Sequence, residues 1–218
     1  MGAIEANGLQ VLSLRLTLPR IGIWTADVEA IGTERLEGPV RIVDGPLVWS
    51  GTAVRSGVFT GRSMARIVGG KAGLRRTVTA RSYTGASVRL IATEIVKAAE
   101  EVFDTNSTAA VLSRSVPYWT RPNAEASAGL ATLAYSQDAA WRVQPNGSVW
   151  LGIDTFAAQT FEHLQMTRDE INGTRLIASD RLELRPGVTF GGERVARVVH
   201  MVDGSGARTR YWVEQAGI

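Results

Sequence analysis

The chain must do any chemistry without thiols and almost without imidazoles: it has no cysteine and only two histidines, His163 and His200. That excludes a disulfide framework, a thiol nucleophile and a thiolate metal site. A histidine-built metal centre would need carboxylates to complete it. Both histidines lie in strand-like stretches with no second ligand at metal spacing, so they read as packed or exposed rather than coordinating. A serine triad would need one of them plus a G-x-S-x-G elbow, and Gly204-Ser205-Gly206 is instead a hairpin tip. Gly69-Gly70-Lys71 resembles the end of a phosphate loop, but the earlier glycine is missing and Ala72 stands where a Ser or Thr would hold the metal. It reads as a turn. Asp104-Thr105-Asn106 lacks the glycine of an aspartic-protease triplet and follows a helix. No G-x-G-x-x-G follows a strand. A glycosidase-type acid pair stays open, because any two carboxylates can meet in space. The sequence therefore nominates no catalytic, cofactor-binding or metal residue, and the chain is not expected to be an enzyme.

The six tryptophans are the other candidates: Trp24, Trp49, Trp119, Trp141, Trp150 and Trp212. They could be sugar-stacking platforms or interface anchors, though strands favour aromatics facing inward. Trp150 falls on the face opposite Val149 and Leu151, so burial of those two would leave it exposed or held by a partner. Sequons at Asn106, Asn146 and Asn172 read as turn chemistry.

Composition narrows the class. The chain has 218 residues, 44% hydrophobic and 21% charged, with a net charge of +3 and a pI near 9.7. That is too apolar for disorder and enough for one domain or a few small modules sharing a core. Basic and acidic residues are interleaved with no block of like charge, which argues against a simple nucleic-acid tail. Arginine outnumbers lysine 22 to two, Lys71 and Lys97. That bias either equips interfaces with bidentate cations or reflects a GC-rich genome. No apolar run is long enough for a membrane-spanning helix. Met1–Ala6 carries neither a basic nor an apolar leader region, so no secretion signal is expected, and Ala6 breaks the myristoylation pattern.

The elements follow from periodicity. In residues 9–18 Leu12, Leu14, Leu16 and Leu18 alternate with Ser13, Arg15 and Thr17, the period of a half-buried strand. Further strands are expected at Ile21–Val28, Val40–Val43, Leu47–Thr52, Val54–Thr60, Ser63–Val68 and Arg75–Ala80, with Asp44-Gly45 closing a hairpin. From Val88 the spacing turns helical through Ile91, Ile95 and Val102, with Ser87 as N-cap. Pro117 and Pro122 then break the chain. A second helix is expected over Ala124–Tyr135, buried along Leu130, Leu133 and Ala134. Asn146-Gly147 predicts a type I′ hairpin that sets Trp141 and Val143 against Val149 and Leu151. Strands resume at Thr160–Met166, Arg175–Ala178, Arg181–Leu184, Val188–Phe190, Arg194–Val202 and Arg208–Val213, the last two joined by a four-residue loop. The expected fold is mainly β with an α+β insert: two small antiparallel β-barrels, residues 1–82 and 153–218, flanking a helix-helix-hairpin module at 83–152.

This order of modules resembles a known family. Gly38-Pro-Val-Arg-Ile-Val-Asp-Gly-Pro-Leu-Val-Trp-Ser-Gly-Thr-Ala-Val54 and Phe59-Thr-Gly-Arg-Ser-Met-Ala-Arg-Ile-Val-Gly-Gly70 are similar to the first barrel of phage tail baseplate hub proteins, which are related to type VI secretion spike hubs. The two helices and the Trp141–Leu151 hairpin resemble the α+β domain that follows it. Leu184-Arg-Pro-Gly-Val188 with Val195–Val202 and Asp203–Val213 resembles the second barrel. The resemblance spans nearly the whole chain and implies a homotrimer whose paired barrels form a pseudo-six-fold ring between tail tube and spike. Its implied partners are its own copies, the tube protein, a separate spike and other baseplate proteins. It implies a place in the virion tail after assembly in the host cytoplasm, and no cofactor. Two other readings stand beside it: a carbohydrate-binding module of a tail tip using Trp119 or Trp150, and a hydrolase built on an acid pair.

Overall fold

The computed structural model describes residues 3–179 and 182–214. The first barrel is a closed ring of six antiparallel strands: β1 (Glu5–Ala6), β2 (Leu9–Pro19), β3 (Thr25–Ile31), β4 (Gly38–Asp44), β5 (Leu47–Phe59) and β6 (Arg62–Gly69). The ring runs β1-β4-β5-β6-β3-β2 and closes because β1 bonds to both β4 and β2. The closing strand is short: β1 covers Ile42 and Val43 of β4 and Leu9 and Gln10 of β2. The alternation along β2 does as expected, with Leu14, Leu16 and Leu18 buried inside. At its start a bulge between Val11 and Ser13 shifts the register, so Val11 takes the inner place expected of Leu12. The strand expected at Ile21–Val28 begins only at Thr25. The two expected at Leu47–Thr52 and Val54–Thr60 are one strand, β5, bulged between Ala53 and Arg55. Trp24 lies across Gly51 and Gly69, where any Cβ would approach its ring to 2.5–2.7 Å.

After the barrel come β7 (Thr77–Val78), all that forms of the strand expected at Arg75–Ala80, then β8 (Arg81–Ser87) and α1 (Val88–Ala98). Ser87 caps α1 by accepting a bond from the Leu90 N–H at 3.2 Å. Then come α2 (Ala109–Leu112), β9 (Ser115–Arg121), β10 (Ala124–Glu125) and α3 (Ala126–Ser136). Periodicity does not reveal the β8–β9 hairpin, because Pro117 reads as a break. A two-stranded ribbon has a free edge at every strand and so tolerates the missing N–H. Leu130, Leu133 and Ala134 are buried on α3 as expected.

The hairpin of β11 (Ala140–Val143) and β12 (Val149–Gly152) pairs Trp141 with Leu151 and Val143 with Val149, as expected. Its turn is not type I′. Gly147 N–H bonds back to Gln144 O at 2.9 Å, and of Pro145, Asn146 and Gly147 only the last has positive φ, 86°. Asn146 lacks the positive φ that a type I′ turn centred on Asn146-Gly147 needs, and the φ near −65° fixed by the ring of Pro145 suits the first central position of a type I turn. The turn therefore starts one residue earlier as a type I turn ending in a left-handed glycine.

The C-terminal strands are β13 (Leu164–Asp169), β14 (Thr174–Ala178), β15 (Thr189–Phe190), β16 (Glu193–Asp203) and β17 (Gly206–Val213). Among the described residues Leu182–Leu184 form no strand, and Arg181 lies outside them. Asp203 pairs with Gly206, so the last hairpin loop has two residues rather than four. The sheet order β2-β16-β17-β14-β13 continues from the first barrel. The eleven residues of β2 thus serve both halves of the chain, with β16 pairing over Leu14–Pro19. The result is mainly β with an α+β insert. One barrel closes through its own hydrogen bonds, and the C-terminal strands extend from it.

Candidate functional site at the seam of the three modules

Barrel, insert and C-terminal strands meet at a cleft of about 400 Å³ whose lining includes Trp24, Trp49, Arg142, Trp150, Asp154 and Arg185. The insert wall is positioned by backbone bonds to the barrel. Gly22 N–H bonds to Trp141 O at 2.8 Å, Val143 N–H to Gly22 O at 3.0 Å, and Ser50 N–H to Pro145 O at 2.7 Å. These sew the insert hairpin onto the barrel.

The Asp154 carboxylate, 2% exposed, is the centre of the seam. Arg142 Nη1 donates to its Oδ1 at 2.7 Å and Arg20 Nη1 to its Oδ2 at 3.3 Å. Arg20 also pairs with Glu214 at 3.2 Å. Arg142 lies 4.1 Å over the Trp150 ring, and Trp150 Nε1 donates to Asn106 O at 3.3 Å. Gly187 completes the packing: its φ is +82° and a Cβ there would stand 2.5 Å from Asp154 Oδ1. Trp150 is therefore held inside the chain, and every residue of β12 is buried. Trp119 is also buried, at 8% exposure, and its ring packs against Tyr83. Neither offers a sugar-stacking face.

A second contact joins barrel to insert. The Glu101 carboxylate, just beyond α1, accepts Lys71 N–H at 3.0 and 2.8 Å and Gly73 N–H at 2.7 Å. The loop that resembles a phosphate cradle in sequence does gather backbone donors, and its anion is the protein's own side chain.

The histidines have separate fates. His163 is exposed, with Nδ1 3.0 Å from Phe161 O. His200 on β16 is fully buried, its Nε2 3.0 Å from Leu184 O and its Nδ1 2.7 Å from Thr209 Oγ1. A carbonyl only accepts, so Nε2 carries the proton and Nδ1 accepts from the threonine hydroxyl. Burial holds this imidazole's pKa down, at about 4, with Leu184 O opposing and the Arg185 charge assisting. Asp104 Oδ1 accepts Asn106 N–H at 2.8 Å, closing a turn. Ser205 sits in the β16–β17 turn against Asp203. Among the described residues no group of three or more His, Cys, Asp or Glu could hold a metal ion. The seam joins segments that no sequence spacing links: Arg20, Arg142 and Asp154 meet only through the fold.

No family model matches the sequence, and no curated protein matches it significantly. Solved structures do. The 43 kDa tail protein of prophage MuSo2 from Shewanella oneidensis superposes with a TM-score of 0.69 at 10% identity, covering 97% of each chain. A tail protein from Neisseria meningitidis MC58 gives 0.70 at 13% identity over 99% of this chain and 97% of that one. The Escherichia coli c3393 protein, described as a type VI secretion component similar to the T4 tail proteins gp27 and gp5, gives 0.65 at 11% identity, covering 99% of this chain and 78% of that one. The fold of this chain is that of phage tail proteins and of their type VI secretion counterparts, as the resemblance to baseplate hubs implies.

Proposed function

We propose that the protein is a structural component of a phage tail: a homotrimeric baseplate hub whose paired barrels form a pseudo-six-fold ring linking the tail tube to the spike. The observation that carries this reading is the near full-length match to two tail proteins and a tail-like secretion component. Its partners are its own copies, the tube protein, the spike and neighbouring baseplate proteins, and its place is the virion tail. Residues 1–82, 83–152 and 153–218 serve as three structural modules, and the protein has no catalytic role.

The seam is consistent with a mechanical part. Asp154 has an arginine on each carboxylate oxygen, which suits it to clamping and not to proton transfer. A tail component must pass load between modules without hinging, and buried charge pairs, stacked rings and a shared strand supply that stiffness. The test is solution mass by light scattering on a size-exclusion column. A mass three times the 23.5 kDa of one chain supports the ring. A monomer at high concentration, unchanged when tube and spike proteins are added, refutes it.

A further inference from the structure

The outer face of the shared sheet carries a row of charge that strand register alone builds. Arg208 on β17 pairs with Met201 on β16, and Met201 with Arg15 on β2. Arg15 faces Asp27 on β3, Asp27 faces Arg66 on β6, and Arg66 faces Arg55 on β5. Residues directly opposite on neighbouring strands share a face. Six side chains, four of them arginine, therefore cross the sheet in one line of roughly 24 Å, at about 4.8 Å per strand. Beneath them Leu14, Val28, Ala65 and Val202 are buried, which fixes the direction of the row.

The row lines a groove of about 1030 Å³. Part of its charge is already matched: Arg66 Nη1 donates to both Asp27 oxygens, at 2.9 and 2.8 Å, and Arg208 pairs with Asp203. Arg15, Arg55 and Arg75 line the same groove, are exposed, and have no ion pair among the described residues. Between the charges lie apolar side chains, Val54 at 49% exposure, Met64 at 42% and the half-buried Met201. Among the described residues no aromatic side chain lines the groove.

We propose that this groove docks an extended acidic segment of a partner protein, its carboxylates meeting Arg15, Arg55 and Arg75 and its apolar side chains packing on Val54, Met64 and Met201. Charge complementarity sets the sign of the partner. The interleaved methionines and valine favour a polypeptide over a nucleic acid, since single-stranded nucleic acids are held on aromatic stacking platforms and the groove has none. The inference is independent of the hub reading, because it concerns a face and a partner chemistry that hold whatever the ring size.

The test uses the full chain and a fluorescein-labelled twelve-residue peptide of alternating glutamate and leucine, with fluorescence anisotropy as readout. Comparison probes are the same peptide with glutamine for glutamate and a twelve-nucleotide oligothymidylate. The acidic peptide should bind, weaken as salt rises, and lose at least tenfold in affinity in the Arg15→Gln, Arg55→Gln, Arg75→Gln triple variant. All three substitutions are at exposed positions, and an unchanged melting curve shows that the fold is kept. Met64→Ser should weaken the acidic peptide while leaving any oligothymidylate binding unchanged. Equal binding of the glutamine peptide, tighter binding of oligothymidylate, or indifference to the triple substitution overturns the proposal. A change in the chain's own solution mass in the triple variant also overturns it, by making the groove a contact between copies.

Discussion

His200 makes the stability of the protein depend on pH in a direction that can be worked out in advance. Its imidazole is fully buried, with a pKa near 4 in the fold against an ordinary 6.5. The unfolded chain therefore binds a proton between pH 6.5 and 4 that the folded chain refuses. Stability rises with pH wherever the unfolded state holds more protons. The contribution is complete above pH 6.5, falls as pH drops through the window, and is gone below about 4. Each tenfold weakening of proton affinity in the fold is worth about 1.4 kcal/mol, so the whole contribution is about 3 kcal/mol. Most of it is already lost at pH 4.5. The assay is urea unfolding of the native chain and His200→Gln at pH 7 and pH 4.5. Glutamine does not titrate, so the carboxylates common to both proteins cancel in the double difference. The native chain should lose about 2–3 kcal/mol more than the variant between the two pH values. Imidazole proton resonances give a second readout, because the chain has only one other histidine. Equal losses in the two proteins, or a His200 resonance that titrates near 6.5, would refute the reasoning.

The seam and the glycine loop can be tested in the same way. Glu101→Ala leaves the Lys71 and Gly73 N–H groups without an acceptor and should cost about 2–4 kcal/mol in urea unfolding. Glu101→Gln, whose amide oxygen still accepts, should recover part of that loss. Gly187→Ala forces a Cβ to within 2.5 Å of Asp154 Oδ1 at a positive φ and should cost about 2 kcal/mol or more. Asp154→Ala removes the acceptor shared by Arg20 and Arg142 and should cost about 3 kcal/mol. Combining Gly187→Ala with Asp154→Ala should fall short of the sum of the two single losses, because removing the carboxylate also removes the clash.

The stiffness proposed for the protein rests on contacts with separate origins. The Arg20–Asp154 pair spans 134 residues of chain, and Trp24 Nε1 donates to Gln144 O across 120. In the C-terminal sheet Arg175, its side chain 3% exposed, bonds Glu193 at 2.5 Å and Glu170 at 3.0 Å. Its guanidinium is held more basic than usual, chiefly by the hydrogen bond to Glu193. Truncating a member of such a set strands a buried charge, so seam and sheet resist piecemeal loosening.

By itself the sequence determined whatever depends on neighbours in the chain. The two-residue period of β2 set which leucines face the core. Ser87 set the start of α1, the stripe of Leu130, Leu133 and Ala134 set the buried face of α3, and Asn146-Gly147 set the place of a hairpin. The module order was enough to point to the tail-protein fold. Local reading failed where two local rules competed. Pro145 moved the Asn-Gly turn, and Pro117 concealed β9, which in a two-stranded ribbon has an outer edge of its own that needs no N–H. Only the tertiary structure decided the sharing of β2 between two halves of the chain, the burial of Trp150 under Arg142 and the Asn106 carbonyl, and the filling of the glycine loop by Glu101. The charged row from Arg208 to Arg55 belongs there too. Each of these depends on register or contact between segments tens of residues apart, and an ion pair needs only proximity in space, so it leaves no spacing in the sequence to read.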